Sequence, residues 1–118
     1  MNLLVLSFFC ICNNKELKKI GFNKDVKKLV VQQAKLATKA KLDAIVCSAR
    51  EAKIVKKVFK REIITPGIRF SSRINDQKRT LTPKQAYRNG ADWLVIGRNI
   101  TEGNVKKNIK KLIDHLNR

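Results

Sequence analysis

Arg69 and Arg98 are the residues of this 118-residue chain best placed to do binding chemistry. Arg69 stands in "TPGIR", two positions after Gly67, and Arg98 directly follows Gly97 in "GRNIT". A guanidinium is a planar, permanently charged fork that can hold a phosphate through two parallel hydrogen bonds. A neighbouring glycine carries no Cβ, so an oxyanion can come close to the backbone amides. Gln77, in the polar stretch between them, adds an amide suited to an oxygen or a base edge. Taken alone, Gly97 is equally a plain strand-ending turn and Arg98 a plain surface charge. Two such arginines, each closing an apolar segment, favour an anion grip.

Other reactive residue types are sparse. Cys10, Cys12 and Cys47 are odd in number, lack C-x-x-C spacing and have no histidine cluster beside them. That pattern argues against a disulfide framework or a zinc site and for a reducing, cytoplasmic setting. His115 is the sole histidine and reads as a surface residue. Asp76 and Asp92 read as loop and strand-start residues rather than catalytic acids, and Tyr87 and Trp93 as packing or rim residues. No metal site is expected.

The net charge of +18 draws the chain toward polyanions. Its lysines are spread in pairs, however: Lys18 and Lys19, Lys27 and Lys28, Lys56 and Lys57, Lys106 and Lys107, Lys110 and Lys111. Most fall on the wet side of a helix, and no helix-turn-helix, zinc-finger or RNP signature accompanies them. Solvated helix faces are the favoured reading, with a nucleic-acid footprint as the alternative. The N-terminal "MNLLVLSFFCICNNK" lacks the basic start and A-x-A cleavage site of a signal peptide. No apolar run reaches the ~18 to 20 residues that span a bilayer, so no membrane partner is expected.

These residues need elements to position them. "LLVLSFF" (3–9), "LDAIVCS" (42–48), "EIITPGIRF" (62–70) and "DWLVIG" (92–97) are short, apolar strand candidates. Between them, residues 25–41 have apolar positions largely on one helical face. Ser48 with Glu51, and Thr82 with Gln85, read as capping boxes opening two further helices, the second with Pro83 at its first position. Gly90 ends that helix. A last helix runs from about Gly103 to Leu116, with Val105, Ile109, Leu112, Ile113 and Leu116 expected inward. Strands alternating with helices predict a parallel sheet with right-handed crossovers. Ligands in such sheets bind at the carboxyl ends of strands, which puts "TPGIR" and "GRNIT" on one rim.

"LDAIVCSAREA", "IITPGIR", "DQKRTLTPKQA" and "GADWLVIGRNIT", in that order over roughly residues 40–104, resemble the C-terminal half of the orotidine 5′-phosphate decarboxylase family. The resemblance implies a (β/α)8 barrel, usually a homodimer, that turns OMP into UMP and CO2 in pyrimidine biosynthesis without a cofactor. It assigns Arg69, Gly97 and Arg98 to the phosphate, and Gln77 to a bridge between phosphate and pyrimidine. Ser7 falls where the family carries a strand-end threonine, a weaker match because "LLVLSFFCIC" departs from the pattern just after it.

The family's chemistry also requires a D-x-K-x-x-D motif, whose carboxylates destabilise the substrate carboxylate and whose lysine protonates the nascent carbanion. No such motif occurs here; Asp25-Val26-Lys27 has Val30 where the second aspartate belongs. A complete barrel of this class takes roughly 200 to 250 residues. Residues 1–118 therefore read as a single partial domain, the last four β/α units, with no catalytic residue of their own. Alone the chain is expected to bind nucleotide monophosphate weakly and to decarboxylate nothing, as one half of a split enzyme or a degenerate remnant. The alternative is a basic nucleotide- or RNA-binding protein. Because half a barrel has open edges, self-association or a complementary N-terminal half is expected.

Overall fold

The computed structural model describes residues 4–6, 13–70 and 81–118. Four strands, β1 (Leu4–Leu6), β2 (Ala44–Val46), β3 (Glu62–Thr65) and β4 (Trp93–Leu94), form one parallel sheet in the order β1-β2-β3-β4. Six helices accompany them: α1 (Asn14–Lys19), α2 (Val26–Lys39), α3 (Ala52–Val58), α4 (Pro83–Arg88), α5 (Arg98–Thr101) and α6 (Val105–Asn117). The expected alternation of strands and helices is present. The sheet stays open, as four units of an eight-unit barrel must.

Register explains where the core lies. Ile45 stands opposite Ile63, and both are fully buried together with Cys47 beneath α2 and α3. Val30, Ala34 and Ala37 of α2 meet Ala52, Val55 and Phe59 there, and Leu17 of α1 completes the cluster. The alanines let the helices approach closely, while Phe59 and Leu17 fill the remaining volume. A second cluster of Ala49, Ile68, Ala86 and Ala91 underlies the strand ends, with Leu81, Leu94 and Ile96 against it.

Several expectations need correction. The polar stretch after β1 contains α1, closed by a capping box between Asn13 and Glu16. Ser48 does not cap α3: Glu51 stands at the cap without a side-chain bond, and the Ser48 hydroxyl accepts only from the Arg50 amide at 3.3 Å. The Ser48 carbonyl instead takes the amides of Glu51 and Ala52, a turn that delays the helix. The last helix forms where it was expected, as α6, but a short helix, α5, precedes it. Asn104 caps α6 through the Lys107 amide, while its side chain neighbour Asn108 bonds the carbonyls of Ile100 and Glu102 and folds α5 back against it.

The expected inner stripe of α6 is not buried. Val105, Ile109 and Ile113 are exposed, and Leu112 and Leu116 half-buried, because the elements described leave that side of the helix uncovered. Trp93 and Val95, on the open face of β4, are likewise more than half exposed, and Tyr87 is exposed too. Tyr87 and Trp93, expected as packing or rim residues, are thus exposed rather than part of the core.

Candidate functional site: the strand-end rim

All four strands run in one direction, so the chain leaving β3 and the chain leaving β4 emerge on the same rim. β3 stops at Thr65, shorter than its apolar sequence suggests, because Pro66 has no amide to donate and Gly67 turns the chain at φ +72°. Ile68 then buries in the second cluster, and half-buried Arg69 follows. Its amide donates to the Leu81 carbonyl at 3.3 Å, closing the base of the intervening loop.

β4 continues through Val95, whose amide donates to the Thr65 carbonyl at 2.9 Å, and reaches Gly97. Gly97 caps the single turn of α5, its carbonyl taking the amides of Ile100 and Thr101. A Cβ placed on Gly97 would meet no described atom within 4 Å, so its backbone lies open to an incoming group. The Arg98 side chain is exposed and has no ion-pair partner among the described residues.

The two loops are tied together. The Phe70 amide donates to Asn99 Oδ1 at 3.1 Å, fixing the residue after Arg69 to the residue after Arg98. The rim juxtaposition expected of Arg69, Gly97 and Arg98 is thus present. Gln77 and Ser7 lie outside the described residues. Asn99 was overlooked in the sequence; the signal available was a polar residue held directly against the Gly-Arg pair. His115 also departs from expectation. It is half-buried, its ring 6.4 Å from that of Phe70, and its Nε2 is buried without a hydrogen-bond partner among the described residues.

Asp92 is at the opposite end of β4. Its Oδ2 accepts from the Ile63 amide at 2.8 Å and from Lys56 Nζ at 2.7 Å, and Lys56 also donates to the Arg61 carbonyl. Partial burial works to raise the carboxyl pKa, but the Lys56 ammonium and the Ile63 amide together outweigh it and hold it below the ordinary value. This Asp–Lys pair sits on the far rim and fastens β3 to β4, as a strand-start residue should.

An open, all-parallel sheet alternating with helices, with arginine and glycine residues at its carboxyl rim, is an open portion of a parallel α/β barrel. The family described as "Orotidine 5′-phosphate decarboxylase / HUMPS family" matches residues 3–112, and the chain belongs to it. Orotidine 5′-phosphate decarboxylase of Wolbachia pipientis from Culex pipiens is 45% identical over 102 residues, covering 85% of this chain and 45% of that protein. The Buchnera aphidicola enzyme of the same name is 41% identical over 113 residues, covering 93% and 47%. The crystal structure of orotidine 5′-phosphate decarboxylase from Lactobacillus acidophilus superposes with a TM-score of 0.73 at 25% identity, over 99% of this chain and 50% of that one. The chain spans just under half the length of the curated relatives it matches.

Proposed function

We propose that this chain is the phosphate-gripping C-terminal portion of an orotidine 5′-phosphate decarboxylase barrel and takes OMP or UMP by the phosphate. Arg98 supplies the charged fork, the Gly97 backbone the close approach, and Arg69 a second cation. Gln77 bridges toward the pyrimidine, and Ser7 has at most an accessory place. The observation that carries the reading is the Phe70–Asn99 bond, which holds the two arginine-bearing loops against each other on one rim.

Turnover is a separate matter. Phosphate binding accelerates a reaction only when a reacting centre can use the binding energy. No D-x-K-x-x-D is present in the chain, so it binds without decarboxylating until paired with a chain that carries those residues.

Calorimetric titration with UMP tests the binding half of the proposal. Saturable binding displaced by inorganic phosphate is expected, weakened about tenfold or more in Arg98→Ala, given ~1.5–3 kcal/mol for a charge-assisted hydrogen bond. Equal UMP affinity in an Arg69→Ala, Arg98→Ala double variant would overturn it. One observation favours a second reading, a polyanion-binding protein. Lys24, Lys27, Lys28, Lys35 and Lys39 surround an open groove of about 610 Å³ along α2. Salt-dependent retention on RNA that persists in the double variant supports that reading instead.

A further inference from the structure

We propose that the lysine-walled groove along α2 docks an acidic amphipathic helix of a partner protein. The proposal narrows the polyanion reading to a polypeptide and stands apart from the nucleotide rim. Val31 and Leu36 of α2, with Ile54 of α3, give the groove an apolar floor. Leu36 is 60% exposed there, a large aliphatic side chain that an occupant would take out of water. The two helices that supply this floor share one core cluster, in which Ala34 and Ala37 of α2 and Ala52 of α3 are all buried. The groove is therefore built from this chain's own packed elements and needs nothing from beyond the sheet edges.

The walls carry positive charge that nothing in the groove neutralises. Lys24, Lys27, Lys28, Lys35 and Lys39 form no ion pair among the described residues, and no carboxylate lines the groove. Asp25, the acid next to Lys24 in the chain, is engaged as the cap of α2, its Oδ1 accepting the Lys28 amide at 3.0 Å. Lys24 Nζ donates to Gln32 Oε1 at 3.3 Å, a neutral partner that leaves the ammonium charge uncompensated. Lys35 and Lys39 are four positions apart on α2, a spacing at which like charges destabilise a helix. A carboxylate held between them turns that repulsion into attraction.

An apolar floor between cationic walls selects an occupant with the complementary pattern. From Lys28 to Lys39, α2 rises roughly 16 Å, about three helical turns. A helix of that length fits along it with apolar residues at every third or fourth position toward the floor and glutamates or aspartates toward the lysines. The lysine stems extend the apolar surface while their ammonium groups stay in water. Nucleic acid fits the lining less well. No aromatic side chain is there for bases to stack on, and no arginine to fork a phosphate. A bare inorganic anion would use the charge and leave the floor wet.

Fluorescence anisotropy with a labelled synthetic helix, leucines on one face and glutamates on the other, tests this on the full chain. Binding is expected to weaken as salt rises. It should be about tenfold tighter than for a scrambled peptide of the same composition, the effect of burying one aliphatic anchor. Leu36→Ser, which removes part of the floor, should weaken it by a similar factor, as should the Lys35→Glu, Lys39→Glu double variant, which reverses the wall. All these side chains are exposed, so circular dichroism should be unchanged. Lys107→Glu with Lys111→Glu, the same charge change on α6, should leave the affinity nearly as it was. No binding of the amphipathic peptide overturns the proposal. Equal affinity for the scrambled peptide, or an equal loss in the α6 variant, reduces the interaction to net charge and overturns it as well. An RNA oligonucleotide that displaces the peptide and is itself lost in the Lys35, Lys39 variant defeats the polypeptide while leaving the polyanion reading standing. Displacement of the peptide by UMP puts it on the strand-end rim, which also defeats the proposal.

Discussion

The Phe70 amide and Asn99 Oδ1, 3.1 Å apart, form the bond that makes one site out of two loops. Neither residue carries charge, yet each is adjacent to an arginine assigned to the phosphate. Removing the Asn99 carbonyl should let α5 drift from the end of β3 and separate Arg98 from Arg69.

Asn99→Ala should therefore weaken UMP binding several-fold, the equivalent of about 1 kcal/mol for a neutral hydrogen bond. Asn99→Asp keeps an acceptor for the Phe70 amide but adds a negative charge at the phosphate. It should bind worse than the alanine variant while remaining at least as stable to urea. Titration of both variants separates positioning from proximity to the phosphate: binding retained in Asn99→Asp would mean that Asn99 acts only by holding the loop.

At the other rim, Asp92 links pH to stability. Its carboxyl pKa is lowered in the folded chain, so the folded state binds fewer protons than the unfolded one in the acid range. The stability it adds is complete above the ordinary carboxylate value and is lost as pH falls through the lowered folded value. Side-chain exposures of 33% for Lys56 and 39% for Asp92 leave the pair well screened, which limits the contribution to about 1 kcal/mol or less. Asp92→Asn retains an acceptor for the Ile63 amide, so it reports mainly on the charge. Urea midpoints should differ between the two proteins at pH 7 and converge near pH 2.

Much of the fold was legible from pattern, and the misses have physical causes. Thr82, Pro83 and Gln85 combine cap, fixed φ and reciprocal acceptor within four residues, and the structure forms that box. Ser48 and Glu51 have the same spacing, but the chain leaving β2 must first turn Ala49 into the second cluster. The helix then starts three residues later. The α6 stripe was correctly seen as apolar, but no described element lies against Val105, Ile109 and Ile113 to bury it. Asn99 was missed because its partner is a backbone amide 29 positions away, which no local pattern reveals.

That contrast is measurable. Thr82→Ala should cost about 1 kcal/mol, the usual loss for an N-cap, whereas Ser48→Ala should cost a few tenths at most. Chemical denaturation of the two variants decides whether the box at α4 is real and the one at α3 is not.

Phe59 provides the severest test of how this half-barrel holds together. It is 1% exposed at the end of α3 and packs in a cluster whose other α2 and α3 members, Val30, Ala34, Ala37, Ala52 and Val55, are all smaller. Alanines permit close approach but cannot expand to fill a void, and the backbone around Phe59 is fixed by its own amide, bonded to the Val55 carbonyl at 2.8 Å. Phe59→Ala should therefore leave most of the ring volume empty and cost about 3–5 kcal/mol. An open sheet of four strands has little reserve against a loss of that size. The expected outcome is a broad, non-cooperative thermal transition with helical signal partly retained. A sharp transition shifted by only a few degrees would show that the α2–α3 layer closes over the gap.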